Sequence, residues 1–280
     1  MTLSICSTRS VTRSIAIGVV GAMLSFNSLN ALAFKEPGKI IAGSDITFFP
    51  YEYMDNNQPA GFDIEFLTGL AKVMGRDAVN LDTRWANLIT GLRGNRFDII
   101  NSAMYITAER MKVIDMIPYL KGGESILSVK GSDYQPEVPE DFCGHTVGSM
   151  AGTAWLKKLQ TLSVDYCEAE GLEPITIREY PTDPQTTQAM LSNAVEAQMT
   201  DAAVARGVID KVGNRVVISS NTLIYPVLNG FGVKKGNDEV KDALIEGLEK
   251  FSKTPEYDAL LKKYNFQAPT AEDLETLMPK

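Results

Sequence analysis

Arg110 closes the segment Ile106-Thr107-Ala108-Glu109-Arg110, just after an apolar run that ends in Asn101, Ser102 and Ala103. A guanidinium presents a planar fork of donors that meets a carboxylate two bonds at a time, so an arginine on such a polar shelf can orient a carboxylate as well as attract it. The ordinary alternative is a solvated arginine on the surface, where exposed ion pairs contribute little. Asp45, Phe48, Trp85, Ser102, Tyr105, Gly152, Thr153 and Arg206 share its placement, each falling just after a run that reads as a strand. Polar, cationic and aromatic groups of this kind suit the recognition of a small polar molecule. Catalysis has less to point to. His145 is the only histidine, and the chain has no Gly-x-Ser-x-Gly elbow, no metal-spaced Cys or His cluster and no phosphate loop. We therefore expect no catalytic residue, metal or cofactor.

Ile40 to Ala42 reads as a short buried strand, followed by an aromatic loop through Phe48, Phe49 and Tyr51. Asp63 is placed to cap a helix whose Ile64, Leu67, Leu70, Ala71 and Met74 recur at helical spacing up to Gly75. A second unit runs from Val79 to Gly94, and a third starts at Phe97 to Asn101. A new cycle begins after the loop of Gly131, Ser132, Pro136 and Pro139: strand His145 to Gly148, turn Ala151 to Thr153, helix Ala154 to Leu162 and strand Ile175 to Tyr180. Asp183 and Pro184 start another helix, Asp201 to Ala205 reads as a short strand, and residues 267–280 read as a polar tail. Alternating strands and helices predict α/β lobes with mainly parallel sheets covered on both faces. The cycles break near 122 and return near 227. This predicts one lobe from 34–122 with 227–280 and another from 123–226, with the ligand crevice at the carboxyl ends of the strands.

Length and composition agree, since 280 residues at 44% hydrophobic and 22% charged can build separate cores for two lobes. Residues 1–33 differ from the rest: Arg9 and Arg13 precede the apolar run Ile15 to Leu24, and Ala31-Leu32-Ala33 follows. That order is a secretory signal with cleavage after Ala33, and the run is short of the ~20 residues a membrane span needs. Without Arg9 and Arg13 the 27 basic residues fall to 25 against 35 acidic ones, a net charge of -10, which argues against nucleic acid or an anionic membrane as partner. Cys6 leaves with the leader. Cys143 and Cys167 remain, either as a disulfide in an oxidising compartment or as two separate small core residues.

Gly61-Phe62-Asp63-Ile64-Glu65, Trp85 with Leu88, Ile89 and Leu92, Asp98, Ile106 to Arg110, and Val147-Gly148 with Gly152-Thr153 together resemble the extracellular solute-binding proteins of polar amino-acid ABC transporters. The resemblance covers residues 35–266. It implies two lobes joined by two crossover strands that close on a ligand as a hinge, and a periplasmic monomer that delivers its ligand to a membrane permease driven by an ATPase. The Cys143 and Cys167 positions resemble a pair found in one branch of the family. By resemblance, Arg110 binds a ligand carboxylate with help from backbone donors near Ala103 and Tyr105. Thr153 offers an amide at a helix N-terminus, where free N–H groups and the helix dipole favour an anion. Phe48 and Trp85 are the aromatic walls, and Asp45 reaches a distal polar group.

The chain also departs from the family's pattern. The family places a carboxylate for the ligand's α-ammonium five residues after the position we match to Asp201, and here that residue is Arg206. A cation there repels an ammonium, so we expect a ligand with a second acidic group, a dicarboxylate or an acidic amino-acid derivative; the alternative is that another acid, Asp45 or Asp210, takes the ammonium. Tyr105 replaces a usually small residue and reshapes the pocket. The other functions to weigh are a ligand sensor for a membrane receptor and, because a few family relatives are exported dehydratases, an enzyme.

Overall fold

The computed structural model describes residues 1–2 and 34–279, so the expected leader and its cleavage site lie outside the described residues apart from the first two. The chain opens with strand β1 (Lys39–Ser44), the hairpin β2 (Tyr53–Asp55) and β3 (Gln58–Ala60), helix α1 (Phe62–Val73) and β4 (Asp77–Asp82). Helix α2 (Leu88–Arg93), β5 (Ile99–Ile100), α3 (Ala108–Met111) and the long β6 (Ile114–Val129) follow. Next come β7 (Thr146–Met150), α4 (Ala154–Leu162), β8 (Thr176–Tyr180), α5 (Asp183–Leu191), β9 (Ala197–Asp201), α6 (Ala202–Val212) and β10 (Val216–Ile218). The second long strand β11 (Ile224–Lys234) leads to α7 (Asp238–Phe251), α8 (Pro255–Tyr264) and α9 (Ala271–Leu277).

One sheet runs in the order β4-β1-β5-β11-β6-β9-β7-β8, with β10 beside β6. The pairs β1 with β4 and β5, and β7 with β8 and β9, are parallel. β6 and β11 are antiparallel to each other in the centre. The first lobe gathers around β4, β1 and β5, and the second around β9, β7 and β8. β6 and β11 are the crossover strands of the hinge, each long enough to take part in both.

The core follows from the apolar spacing. On α1, Phe62, Phe66, Leu67 and Leu70 are fully buried, and each such side chain contributes about 1.5–3 kcal/mol relative to exposure. The helix ends at Gly75, whose φ of 68° is the left-handed stop that favours glycine. Asp63, expected as the cap, instead lies inside the helix after Gly61. Its buried carboxylate accepts from the Ala103 amide at 2.7 Å and from the Tyr119 hydroxyl at 2.8 Å, so it ties α1 to the shelf before Arg110.

The apolar stretch Ser125 to Val129 is the end of the long strand β6, whose middle carries Lys121, Gly122 and Gly123. Two further expectations change. The strand expected at Asp201 to Ala205 is the start of α6, and the strand is Ala197–Asp201, hidden in sequence by the polar Gln198 and Thr200. The polar tail contains α9, held by a capping box in which Thr270 and Asp273 bond each other's backbone, and Asp273 pairs with Lys121 of β6 at 2.6 Å.

Cys143 and Cys167 form a disulfide, with Cα atoms 5.5 Å apart. Cys167 sits in the π-helical turn that ends α4 and Cys143 in the approach to β7, so the bridge pins the far end of the helix that begins at Thr153. Among the described residues, no helix is long and apolar enough to cross a membrane.

Candidate functional site

On the first lobe, Thr107 caps α3 by accepting from the Arg110 amide at 3.2 Å, a bond that sets the direction of the side chain. The Arg110 guanidinium donates to the Tyr105 carbonyl at 2.7 Å and, more weakly, to the Gly152 carbonyl of the second lobe at 3.4 Å. It lies 5.1 Å from the centre of the Trp85 ring. Burial lowers its pKa to about 10, and among the described residues no carboxylate forms an ion pair with it. A guanidinium has five N–H donors, so Arg110 keeps donors and an uncompensated charge at the seam between the lobes.

Trp85 adds a second crossing of the seam, donating from Nε1 to the Gly152 carbonyl at 3.1 Å. Gly152 adopts a φ of 73°, the left-handed conformation that favours glycine; a Cβ there would stand in ordinary contact, 3.5 Å from the same Nε1, so it is the backbone turn and not crowding that calls for glycine. Thr153 caps α4, its hydroxyl accepting from the Leu156 amide at 3.3 Å and donating to the Met150 carbonyl at 2.7 Å. Phe48 stacks on Tyr51 and on Trp155 of α4, with ring centres 5.6 and 6.3 Å apart, and Tyr105 meets Trp155 edge-on at 5.3 Å. The structure thus gathers Phe48, Trp85, Tyr105, Arg110, Gly152 and Thr153 at one interlobe seam.

Asp45, Ser102 and Ala103 lie beside this seam but are engaged in structure. The buried Asp45 carboxylate accepts from Thr47 at 2.9 Å, from Arg84 at 2.8 Å and from the Trp85 amide at 2.8 Å, so it positions Trp85. Ser102 donates to Glu52 and accepts from the Asp45 amide at 3.1 Å. The Ala103 amide, expected as a ligand donor, is bonded to Asp63. Arg206 is exposed on α6, in a groove along the hinge that Tyr51, Lys121, Asp201 and Phe266 also line, and among the described residues no hydrogen bond or ion pair joins it to the seam.

Three seam residues escape the sequence reading of the site. Asp201, at the end of β9, is fully buried, and its carboxylate accepts from the Ala203 and Val204 amides at 2.8 and 3.2 Å. It also meets two first-lobe hydroxyls, Tyr51 at 3.1 Å and Tyr105 at 2.7 Å. Glu124 of β6 pairs in register with Asp201. It is fully buried, faces Lys158 of α4 at 3.4 Å, and neither of its oxygens has a hydrogen-bond partner. Trp155 is buried with its Nε1 donor unpartnered. The available signal was position: Asp201 ends a strand and Trp155 lies two residues beyond Thr153. Among the described residues, no group of His, Cys, Asp and Glu could hold a metal ion.

Residues 40–268 match the family model of bacterial extracellular solute-binding proteins, family 3. The L-cystine-binding protein TcyJ of Escherichia coli is 25% identical over 232 residues, covering 82% of this chain and 84% of that one. The histidine-binding periplasmic protein of Escherichia coli is 26% identical over 250 residues, covering 86% and 93%. Among solved structures, an ancestral arginine-binding protein bound to arginine superposes with a TM-score of 0.74 at 27% identity, over 81% of this chain and 98% of that one. The chain belongs to family 3 of the bacterial extracellular solute-binding proteins.

Proposed function

We propose that the protein is the periplasmic solute-binding component of an ABC importer, capturing a small carboxylate-bearing solute, an amino acid, between its lobes. The observation that carries this reading is Arg110, a largely buried cation at the seam with no ion-pair partner among the described residues. An uncompensated buried charge is costly, and a ligand carboxylate would relieve that cost with paired, charge-assisted bonds. Thr153 at the start of α4 adds a helix N-terminus on the opposite lobe. Residues 34–122 with 227–280 and residues 123–226 are taken as the lobes that close, with a membrane permease and its ATPase as recipients and the monomer as the working form.

A second acidic group on the ligand depends on Arg206 facing Arg110. Arg206 is exposed along the hinge, and the relatives are named for cystine, histidine and arginine, which supports an amino acid over a dicarboxylate. Thermal unfolding across a panel of amino acids and dicarboxylates tests this. The ligand should add about 2.7 kcal/mol at a hundred times its dissociation constant, and mass spectrometry should recover it unchanged. Tight binding of dicarboxylates alone would overturn the ligand class, and conversion of the ligand would overturn the binding role.

A further inference from the structure

We propose that Phe49 is a positioning residue that latches the lobes: its ring reaches from the first lobe onto Gly207 of α6, and this contact sets how long the closed form lasts. The inference rests on the reading above, that the lobes close on an amino acid, and goes beyond it to a pair of residues away from the seam.

Phe49 follows Phe48 in the aromatic loop after β1, but the two rings go to different places. Phe48 stacks on Trp155 at the seam, whereas Phe49 lies against α6. A Cβ at Gly207 would stand 2.5 Å from Phe49 Cδ1 and 2.6 Å from Cε1, too close for any side chain, so the ring rests directly on the helix backbone. Gly207 lies in the interior of α6, where glycine is a poor helix former and alanine a good one. The helix is therefore weakened at the one place where the ring needs a seat. Lys211, one turn further on, holds its Nζ 3.8 Å from the centre of the Phe49 ring and 5.3 Å from that of Tyr53. The Phe49 and Tyr53 rings meet each other at 4.7 Å. The first lobe thus presents an aromatic pair, and the second a glycine seat with a cation beside it.

Cavities of about 370 and 490 Å³ open on the two sides of this contact, and Phe49, Tyr53 and Gly207 line both. The ring bridges a groove that is otherwise loosely filled. A contact made across the lobes exists in the closed form and is lost in the open one, so it biases closure without touching the ligand. This separates Phe49 from Tyr105 and Trp85, whose changes would alter the seam itself.

The experiment measures calorimetric affinity and stopped-flow kinetics of L-cystine, L-histidine and L-arginine on the mature chain, for wild type, Phe49→Ala, Gly207→Ala and the double variant. For an amino acid that binds wild type, each single change should weaken affinity by about tenfold, nearly all of it as faster dissociation. The double variant should bind like Phe49→Ala, because the alanine then has no ring to displace. Alanine favours the helix, so adding Gly207→Ala to Phe49→Ala should raise the thermal midpoint while affinity stays where it was. Should Gly207→Ala fail to fold, Lys211→Met replaces it, with dissociation about threefold faster and unchanged dissociation counting against the latch. Wild-type binding by Gly207→Ala, or losses that add in the double variant, overturn the latch and leave the amino-acid reading intact. If none of the three amino acids binds wild type, that reading falls, and solution scattering of the ligand-free chain judges the latch: a larger radius of gyration for Gly207→Ala upholds it, and an equal one overturns it.

Discussion

The two walls of the seam handle buried charge in opposite ways. On the first lobe, Arg110 is held by its own helix cap, the Tyr105 carbonyl at 2.7 Å and, more weakly, the Gly152 carbonyl, with spare donors and no ion-pair partner among the described residues. On the second, Asp201 is saturated by amides and tyrosine hydroxyls drawn from both lobes. A saturated buried charge holds a structure together, whereas an unsaturated one waits for a partner. The seam thus has protein-made bonds, through Asp201, Tyr51, Tyr105 and the Trp85 bond to Gly152, and, on the proposed reading, a ligand-made one through Arg110. On that reading ligand shifts the open and closed populations by the second.

Removing the unsaturated charge should have the largest effect on binding. Arg110→Ala is expected to lose about 2–5 kcal/mol of ligand affinity, read by calorimetry, while unfolding stability falls by only about 1 kcal/mol, for the lost bond to the Tyr105 carbonyl. Next is the support of the second wall. Reducing the Cys143–Cys167 bridge, which closes a separation of 24 residues, should cost about 3 kcal/mol in urea unfolding by loosening α4 and its neighbours.

The pH dependence of stability sharpens the same contrast. Burial raises the carboxyls of Asp63 to about 6, Asp183 to about 7 and Glu124 to about 8, all above their unfolded values. The folded state then binds more protons than the unfolded one between about pH 4 and 8, so stability should fall as pH rises through that window. Thermal midpoints of the ligand-free protein should be higher near pH 5 than near pH 8, and Glu124→Gln should reduce the difference. Tyr105→Phe should be milder still, removing one hydroxyl contact to Asp201, and should weaken ligand-free closure by about 1 kcal/mol, visible as a larger radius of gyration in solution scattering. Arg206→Ala, exposed along the hinge, should change affinity least, by less than about threefold.

How much of this could be read from the chain follows the same division. Arg110 was legible because Thr107-x-x-Arg110 combines a cap, a helix start and a donor fork within four residues. Trp85 and Gly152 were legible as separate strand-end residues of one crevice, but their bond to each other was not. The second wall was obscured by its polarity. β9 reads Ala-Gln-Met-Thr-Asp, yet all five residues are buried, because Gln198 and Thr200 bond Asp183 at 2.8 and 2.6 Å. Taking Asp201 as the start of a strand put weight on Arg206, whereas Asp201 ends β9 and Arg206 lies in the helix that follows. Glu124 was hidden inside β6, where Gly122 and Gly123 look like a break although β11 and β9 carry the sheet past them. Asp45 shows the limit of residue type alone: a buried carboxylate in a strand-end loop, spent on Arg84 and the Trp85 amide.

The most direct measurement compares one bound L-amino acid with its α-carboxamide on wild type and on Arg110→Ala. If Arg110 anchors the carboxylate, amidation should cost wild type about a hundredfold in affinity or more, and the variant should no longer distinguish the two. Equal binding of acid and amide by wild type would contradict it.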